Sequence, residues 1–170
     1  MSSPRQVATI VLGAVASVLL QVMVSPSIAL FGVQPNFIAA FALVVAVSSP
    51  GAPGAVLPFV LGLLFDLLGT GPVGGMAFLL VVVGHAAGSV LEQIDDRTAP
   101  VELLVFLLGV LVVESLYGLL LIAAGFPVGI GEAMVYRALP CTLYDGVAGL
   151  LMYPIVSHLL RTGSRAAKEA

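Results

Sequence analysis

Charge is what this sequence has least of: six Lys or Arg and nine Asp or Glu in 170 residues, or 9%. An average soluble domain is about a quarter charged. With 60% hydrophobic residues, the apolar side chains are too numerous to be hidden inside a soluble domain of this length. No residue from Gln6 to Phe65 carries a formal charge, and at about 20 residues per span this stretch holds two membrane spans and most of a third. These observations exclude a soluble enzyme, a DNA-binding module and a disordered chain, and they predict a polytopic membrane protein.

Several kinds of functional site are also missing. Cys141 is the only cysteine, which excludes an intrachain disulfide and a CxxC metal site. The two histidines, His85 and His158, lack the spacing of a zinc site, and the few basic residues form no tract for nucleic acid. There is no phosphate-binding loop, nucleophile elbow or His-Glu-x-x-His helix. The sequence therefore predicts no enzyme, no cofactor, no metal and no nucleic-acid partner.

Apolar runs between Gly, Pro and polar breakers predict an all-α fold of about six transmembrane helices in a single domain over residues 1–170. The predicted helices cover residues 6–24, 36–49, 55–68, 74–91, 101–124 and 133–160, followed by a short polar tail, 161–170. The second and third helices rise only about 21 Å, less than the roughly 30 Å hydrocarbon core. They either span a locally thinned bilayer or form a re-entrant pair.

The basic residues predict an orientation. In membrane proteins Lys and Arg in short loops are enriched on the cytoplasmic side. One side of the predicted topology carries Arg5, Arg97, Arg161, Arg165 and Lys168, whereas only Arg137 falls on the other. The sequence therefore predicts a multi-pass protein with both termini in the cytoplasm.

Ionisable residues within the predicted spans are candidates for function, because they are costly in lipid and are usually paired or functional. Glu114 and Arg137 fall at similar heights, which predicts either an ion pair between the fifth and sixth helices or, with Asp66, an outward polar cavity. His85 and Asp145 fall at comparable depths, which predicts a hydrogen-bonded pair acting as a structural contact or a proton relay. Asp66 and Asp145, at about 15 Å apart in depth, are too distant for a protease dyad.

Two other features concern helix packing and capping. Gly84 and Gly88 form a small-xxx-small pattern, which predicts close approach of a neighbouring helix. Asp66 ends the third predicted helix just before a Gly/Pro-rich turn, so it is placed either to cap the fourth helix or to contact a partner.

The stretch from Pro35 to Gly88 carries a pattern beyond hydrophobicity. Glycine, proline and polar positions recur in a fixed order: Pro35-Asn36, Gly62-Leu63-Leu64-Phe65-Asp66, Gly71-Pro72-Val73-Gly74 and Gly84-His85-x-x-Gly88. This pattern resembles the MreD family of rod-shape-determining membrane proteins, which shows Pro-Asp before its second helix and a Gly-Leu-x-x-Asp-Leu run before a Pro-Leu-Gly-like turn. Three departures stand out. Asn36 replaces the usual Asp, Asp145 lies in the last helix where Asn is commoner, and the loop Ser48-Ser49-Pro50-Gly51 lacks the basic residue often found there.

The resemblance implies a non-enzymatic subunit of the bacterial cell-elongation complex in the cytoplasmic (inner) membrane, supporting cell shape and peptidoglycan synthesis. Its implied partners are an MreC-like bitopic protein and, indirectly, MreB, the polymerase RodA and the elongation transpeptidase, besides membrane lipid. MreD-like proteins are also similar in architecture to the substrate-binding subunits of vitamin transporters. The alternative function is therefore a small-solute-binding membrane subunit, with Asp66, Glu114 and Arg137 as its ligand site.

Overall fold

The computed structural model describes residues 4–30, 32–50 and 54–168, with side chains as far as residue 162. Its helices are α1 (Pro4–Met23), α2 (Phe37–Ser48), α3 (Val56–Leu68), α4 (Gly75–Glu92), α5 (Ala99–Ala123) and α6 (Leu139–Lys168). A 3₁₀ turn, Ser25–Ile28, follows α1, and a π-helical segment, Glu132–Ala138, continues directly into α6. The predicted all-α fold with six helices is confirmed for these residues. Most of the predicted break at 51–54 lies outside them.

The last helix differs most from its prediction. It contains Pro154 without interruption and continues to Lys168, whereas the sequence predicted an end at Leu160. Proline is tolerated in membrane helices because local adjustments satisfy the freed backbone groups. The other proline, Pro140, follows a wide π turn. In that turn the Leu139 N–H donates a hydrogen bond to the Met134 carbonyl. Since Pro140 has no N–H to donate, the helix widens there instead of breaking.

Four of the described helices are long and apolar enough to cross a membrane: α1, α4, α5 and α6 with its π-helical segment. The short helix α2, with 12 residues, lies at the centre of the bundle and packs against α1, α3, α4, α5 and α6. Every residue from Ile38 to Ser48 is buried. A helix that is apolar on all sides must be covered on all sides, so the longer helices enclose α2.

Helices α3 and α4 form the tightest hairpin. A Cβ added to Gly62 on α3 would lie 2.6 Å from the Ala77 nitrogen of α4, so only glycine allows this approach. At the connecting turn Gly74 has a φ of +91°, a left-handed conformation that strongly favours glycine. These two glycines of the family-like pattern therefore set the α3–α4 hairpin.

The bundle has two ends, which we name by the chain termini. At the terminal end α1 and α6 meet, and Gln6 Nε2 donates to the Leu160 carbonyl at 3.2 Å. At the distal end, about 22 Å further along α1, Gln21 Nε2 donates to the Pro35 carbonyl just before α2, at 3.3 Å. Since α2 rises only about 18 Å, it stops short of the distal ends of its neighbours and leaves a cavity there.

Candidate functional site

Asp66 caps α4. Its carboxylate, 2% exposed, accepts hydrogen bonds from the backbone N–H groups of Gly74 at 2.9 Å, Met76 at 3.1 Å and Ala77 at 3.2 Å. The first N–H groups of a helix have no partner within the helix, and the helix dipole favours an anion there. This arrangement agrees with the capping geometry anticipated from the sequence.

The capped turn also contacts α5. Gly71 lies against the Tyr117 hydroxyl, with no room for a side chain. The Phe65 and Tyr117 rings meet edge to face, with centroids 6.1 Å apart and an interplanar angle of 78°. The Arg137 guanidinium also packs on this ring, 5.1 Å from the Tyr117 ring centroid. Tyr117 therefore connects the Asp66 turn to Arg137.

At the distal end three buried polar side chains meet in what we call the acidic cluster: Asn36, Glu114 and Asp145. They are 4%, 2% and 0% exposed. Asp145 Oδ1 accepts the Asn36 backbone N–H at 2.6 Å, and Asn36 Oδ1 accepts the Ala39 N–H at 2.9 Å. Glu114 of α5 lies beside both residues. Asn36 and Asp145 thus cap the positive end of α2.

The predicted pairing of His85 with Asp145 is wrong. His85 is exposed and lines a groove beside Gly84 and Gly88, between α2, α3 and α4. Asp145 lies on α6, which packs against α1, α2 and α5. Similar depth in the membrane did not bring the two side chains together, because α2 and α5 stand between their helices.

The predicted ion pair of Glu114 with Arg137 is also wrong. Among the residues that the structure describes, Glu102 and Arg161 form the only ion pair. Arg137 lies near Glu114, but its guanidinium is placed over the Tyr117 ring, where the negative face of the ring attracts a cation. Arg137 belongs to the π-helical segment, Glu132–Ala138, that precedes α6.

The distal cavity, of about 580 Å³, corresponds to the polar cavity of the sequence prediction, with one change. Glu114 and Arg137 line it, whereas Asp66 is occupied with capping α4 and does not. Its further polar lining is Gln21, Gln34, Asn36, Thr70, Glu132, Tyr136 and Cys141. The three residues Asp66, Glu114 and Arg137 therefore do not form one ligand site.

The predicted packing role of Gly84 and Gly88 is only partly realised. Both residues are buried beside α2. The nearest atoms to a Cβ added at either position belong to Ala46 and Pro50 and lie 3.8 Å away, an ordinary contact distance. The helices thus do not need glycine at these positions to approach each other.

A second polar cluster, at the terminal end, was missed. Both oxygens of Glu102 accept from Arg161 Nη2, at 2.8 and 2.9 Å, and Oε2 also accepts the Tyr153 hydroxyl at 2.8 Å. We call these three residues the ion-pair cluster. Glu102 is 3% exposed and lies on the buried stripe of α5 that includes Phe106 and Gly109. That helical spacing was the signal that could have found it.

The chain matches one known protein family. The model of a family described as rod shape-determining protein MreD matches residues 4–162. No curated protein and no solved structure gives a significant match. The similarity to vitamin-transporter subunits therefore stays a prediction.

Proposed function

This chain belongs to the MreD family of rod shape-determining proteins, and from that membership we propose that it is a non-enzymatic membrane subunit of the bacterial cell-elongation complex. The observation that carries the proposal is the extent of the match, residues 4–162, because it covers five helices completely and α6 as far as residue 162. Family membership implies a role in rod shape determination. The partners and the mode of action go beyond family membership and are what we propose.

We propose that the protein acts by binding the transmembrane helix of an MreC-like partner, and through it MreB, RodA and the elongation transpeptidase. In lipid, helices associate through close packing and hydrogen bonds rather than through the hydrophobic effect. The chain offers apolar faces for such packing: in α1 only Gln6 and Ser17 are buried within the fold. A narrow apolar groove between α1 and α3, including Ala14, Val18, Leu57 and Leu61, supports the same proposal.

The family-like positions support this proposal as determinants of the fold. Asp66, Gly71 and Gly74 build the capped turn of the α3–α4 hairpin, and Gly62 brings its two helices together. A rigid hairpin gives a partner helix a constant surface. We further propose that both termini are cytoplasmic, which puts the terminal end and its Arg97 and Arg161 at the inner surface of the membrane.

The test is depletion of this protein in its rod-shaped host, combined with affinity purification. We expect depleted cells to lose constant width and to insert wall material irregularly, and the tagged protein to retain the MreC-like protein through detergent extraction. A Leu64→Trp substitution, at an exposed residue of the α1–α3 groove, should reduce that retention by filling the groove, whereas Leu104→Trp on the exposed side of α5 is the matched control. Unchanged cell width after depletion would contradict the proposal. So would full retention of the MreC-like protein by both variants.

A further inference from the structure

We propose that the distal cavity and the apolar groove beside it form a binding site for a zwitterionic aminophospholipid. The ammonium group of the lipid faces Glu114, its phosphate faces Arg137, and an acyl chain follows the groove. This inference goes beyond the proposed function and does not depend on it.

The first argument is the unsatisfied hydrogen-bonding capacity of the distal end. Among the described residues, four buried side-chain atoms there have no hydrogen-bond partner: Gln21 Oε1, Asn36 Nδ2, Arg137 Nε and Asp145 Oδ2. They come from α1, the start of α2, the π-helical segment and α6. A buried polar atom without a partner costs about 1 to 3 kcal/mol, so native proteins keep few of them. Three of these residues, Gln21, Asn36 and Arg137, line the distal cavity, and unpartnered atoms from three different elements around one cavity indicate a ligand.

The unpartnered atoms also indicate the chemistry of that ligand. Asn36, 4% exposed, lines the cavity and, like Arg137, offers a donor. Gln21 Oε1 offers an acceptor, and the Glu114 carboxylate in the lining of the same cavity offers another. A ligand that satisfies both kinds of atom must carry donors and acceptors. A phosphate accepts from the guanidinium and the amide, and an ammonium donates to the oxygens.

Charge leads to the same ligand. Glu114 and Asp145 are adjacent and almost fully buried, and two carboxylates this close cannot both be charged without a nearby cation. Arg137 forms an ion pair with neither and lies on the Tyr117 ring. Arg137 lies near both carboxyls, but one guanidinium cannot balance two negative charges, so an ammonium group next to Glu114 supplies the second positive charge. Arg137 is then available for the negative charge of the same headgroup.

The groove identifies the ligand as an amphiphile. A depression of about 510 Å³ shares Val33 and Tyr136 with the distal cavity. Its other lining residues are Leu30, Pro140, Leu143 and Tyr144. Leu30 and Leu143 are 59% and 73% exposed, so the groove faces the lipid. A polar cavity joined to a lipid-facing apolar groove fits a headgroup with its chain, and tyrosines at such a boundary are typical of the membrane interface.

The experiment uses the full chain in detergent and measures lipid binding by native mass spectrometry. The probes are phosphatidylethanolamine, phosphatidylcholine, phosphatidylglycerol and free phosphoethanolamine. We expect one phosphatidylethanolamine per chain, held at least about tenfold more tightly than the other two lipids. Choline keeps the positive charge but has no N–H donor, and glycerol has no cation. A lost hydrogen bond to a charged group corresponds to about tenfold or more in affinity.

Variants locate the site. Glu114→Gln and Arg137→Gln should each weaken phosphatidylethanolamine binding about tenfold or more, whereas Glu92→Gln, in the other groove of the bundle, should leave it unchanged. Arg137→Lys keeps the cation and should retain most of the binding, which guards against a variant that fails for reasons of folding. Leu143→Asn should weaken binding of the lipid but not of free phosphoethanolamine.

Four results would overturn the proposal. The first is equal affinity for the three lipids. The second is unchanged phosphatidylethanolamine binding by Glu114→Gln and Arg137→Gln. The third is free phosphoethanolamine bound as tightly as the lipid, which would mean that the groove takes no part. Loss of binding with Glu92→Gln as well would equally contradict a site at the distal end.

Discussion

The buried carboxyl groups at the two ends of the bundle differ in their partners. In the ion-pair cluster at the terminal end, Arg161 and Tyr153 together occupy both oxygens of Glu102. In the acidic cluster at the distal end, Glu114 and Asp145 lie together without an ion pair, and Asp145 Oδ2 has no hydrogen-bond partner. The terminal cluster can therefore be explained by stability, because it joins α5 to α6. Stability explains only part of the distal cluster: Asn36 and Asp145 Oδ1 cap α2, whereas the second buried carboxyl, Glu114, adds no such contact. Residues that violate the rules of burial are those expected to serve function.

The largest expected effect is at the terminal end. Replacing Arg161 with Leu leaves Glu102 buried and without its cation, which should lower the free energy of unfolding by about 2 to 3 kcal/mol. Denaturant titration in detergent measures this change. Arg97→Leu removes a cation that lines the same small cavity but is exposed and forms no described ion pair, so it should match the wild type. Equal losses in both variants would mean that total charge, not the pair, matters.

The next effect tests the distal cluster through its two departures from the family pattern. Asn36→Asp adds a third carboxyl beside Glu114 and Asp145, and should cost about 1 to 2 kcal/mol of stability by burying a charge without a partner. Adding Asp145→Asn restores the original number of carboxyls, and the amide oxygen introduced at position 145 can still accept the backbone N–H of residue 36. The double variant should therefore recover nearly all the lost stability in denaturant titration, which is a double-mutant coupling. Additive losses would show that the two positions do not compensate each other.

A smaller effect separates the hydrogen bond from the ion pair in the terminal cluster. Tyr153→Phe removes only the hydroxyl that donates to Glu102 Oε2, and should cost about 1 kcal/mol because Arg161 still holds the carboxylate. Tyr144→Phe is the control, since the Tyr144 hydroxyl donates to the exposed Ile28 carbonyl at 3.2 Å. Thermal unfolding of both variants gives the comparison. A larger loss for Tyr144→Phe would contradict this ranking of the two bonds.

The smallest expected effect on stability is in the acidic cluster itself. Glu114→Gln removes one of two adjacent buried carboxyls, so the free energy of unfolding should stay the same or rise by about 1 kcal/mol. The matched variant Glu102→Gln should lower it. A loss of stability with Glu114→Gln as large as that with Arg161→Leu would make the two ends equivalent and remove the contrast.

The sequence was sufficient for features that depend on local pattern. Apolar runs between breakers predicted all six helices, and most of their ends to within a few residues, because in lipid the backbone must satisfy its own hydrogen bonds within helices. Asp66 was recognised as a candidate cap because its position before a Gly/Pro turn is enough to place it at the start of the next helix.

The sequence was not sufficient for pairings between helices. Depth along each helix placed His85 with Asp145 and Glu114 with Arg137, but depth does not specify which faces of which helices meet. The short helix α2 lies between α4 and α6, and Arg137 packs on the Tyr117 ring and forms no ion pair with Glu114. Glu102 was overlooked because it lies near a helix start, although its place on the buried stripe of α5 already indicated burial.

The most direct test of the contrast between the two ends replaces the native protein with the Glu114→Gln variant in the rod-shaped host. Cell width is measured together with the abundance and the thermal unfolding of the variant in the membrane. If the acidic cluster serves function at the expense of stability, the variant should be as abundant and at least as stable as the wild type, yet fail to maintain rod width. Rods of normal width at normal abundance would contradict that claim, and so would a variant that is lost from the membrane.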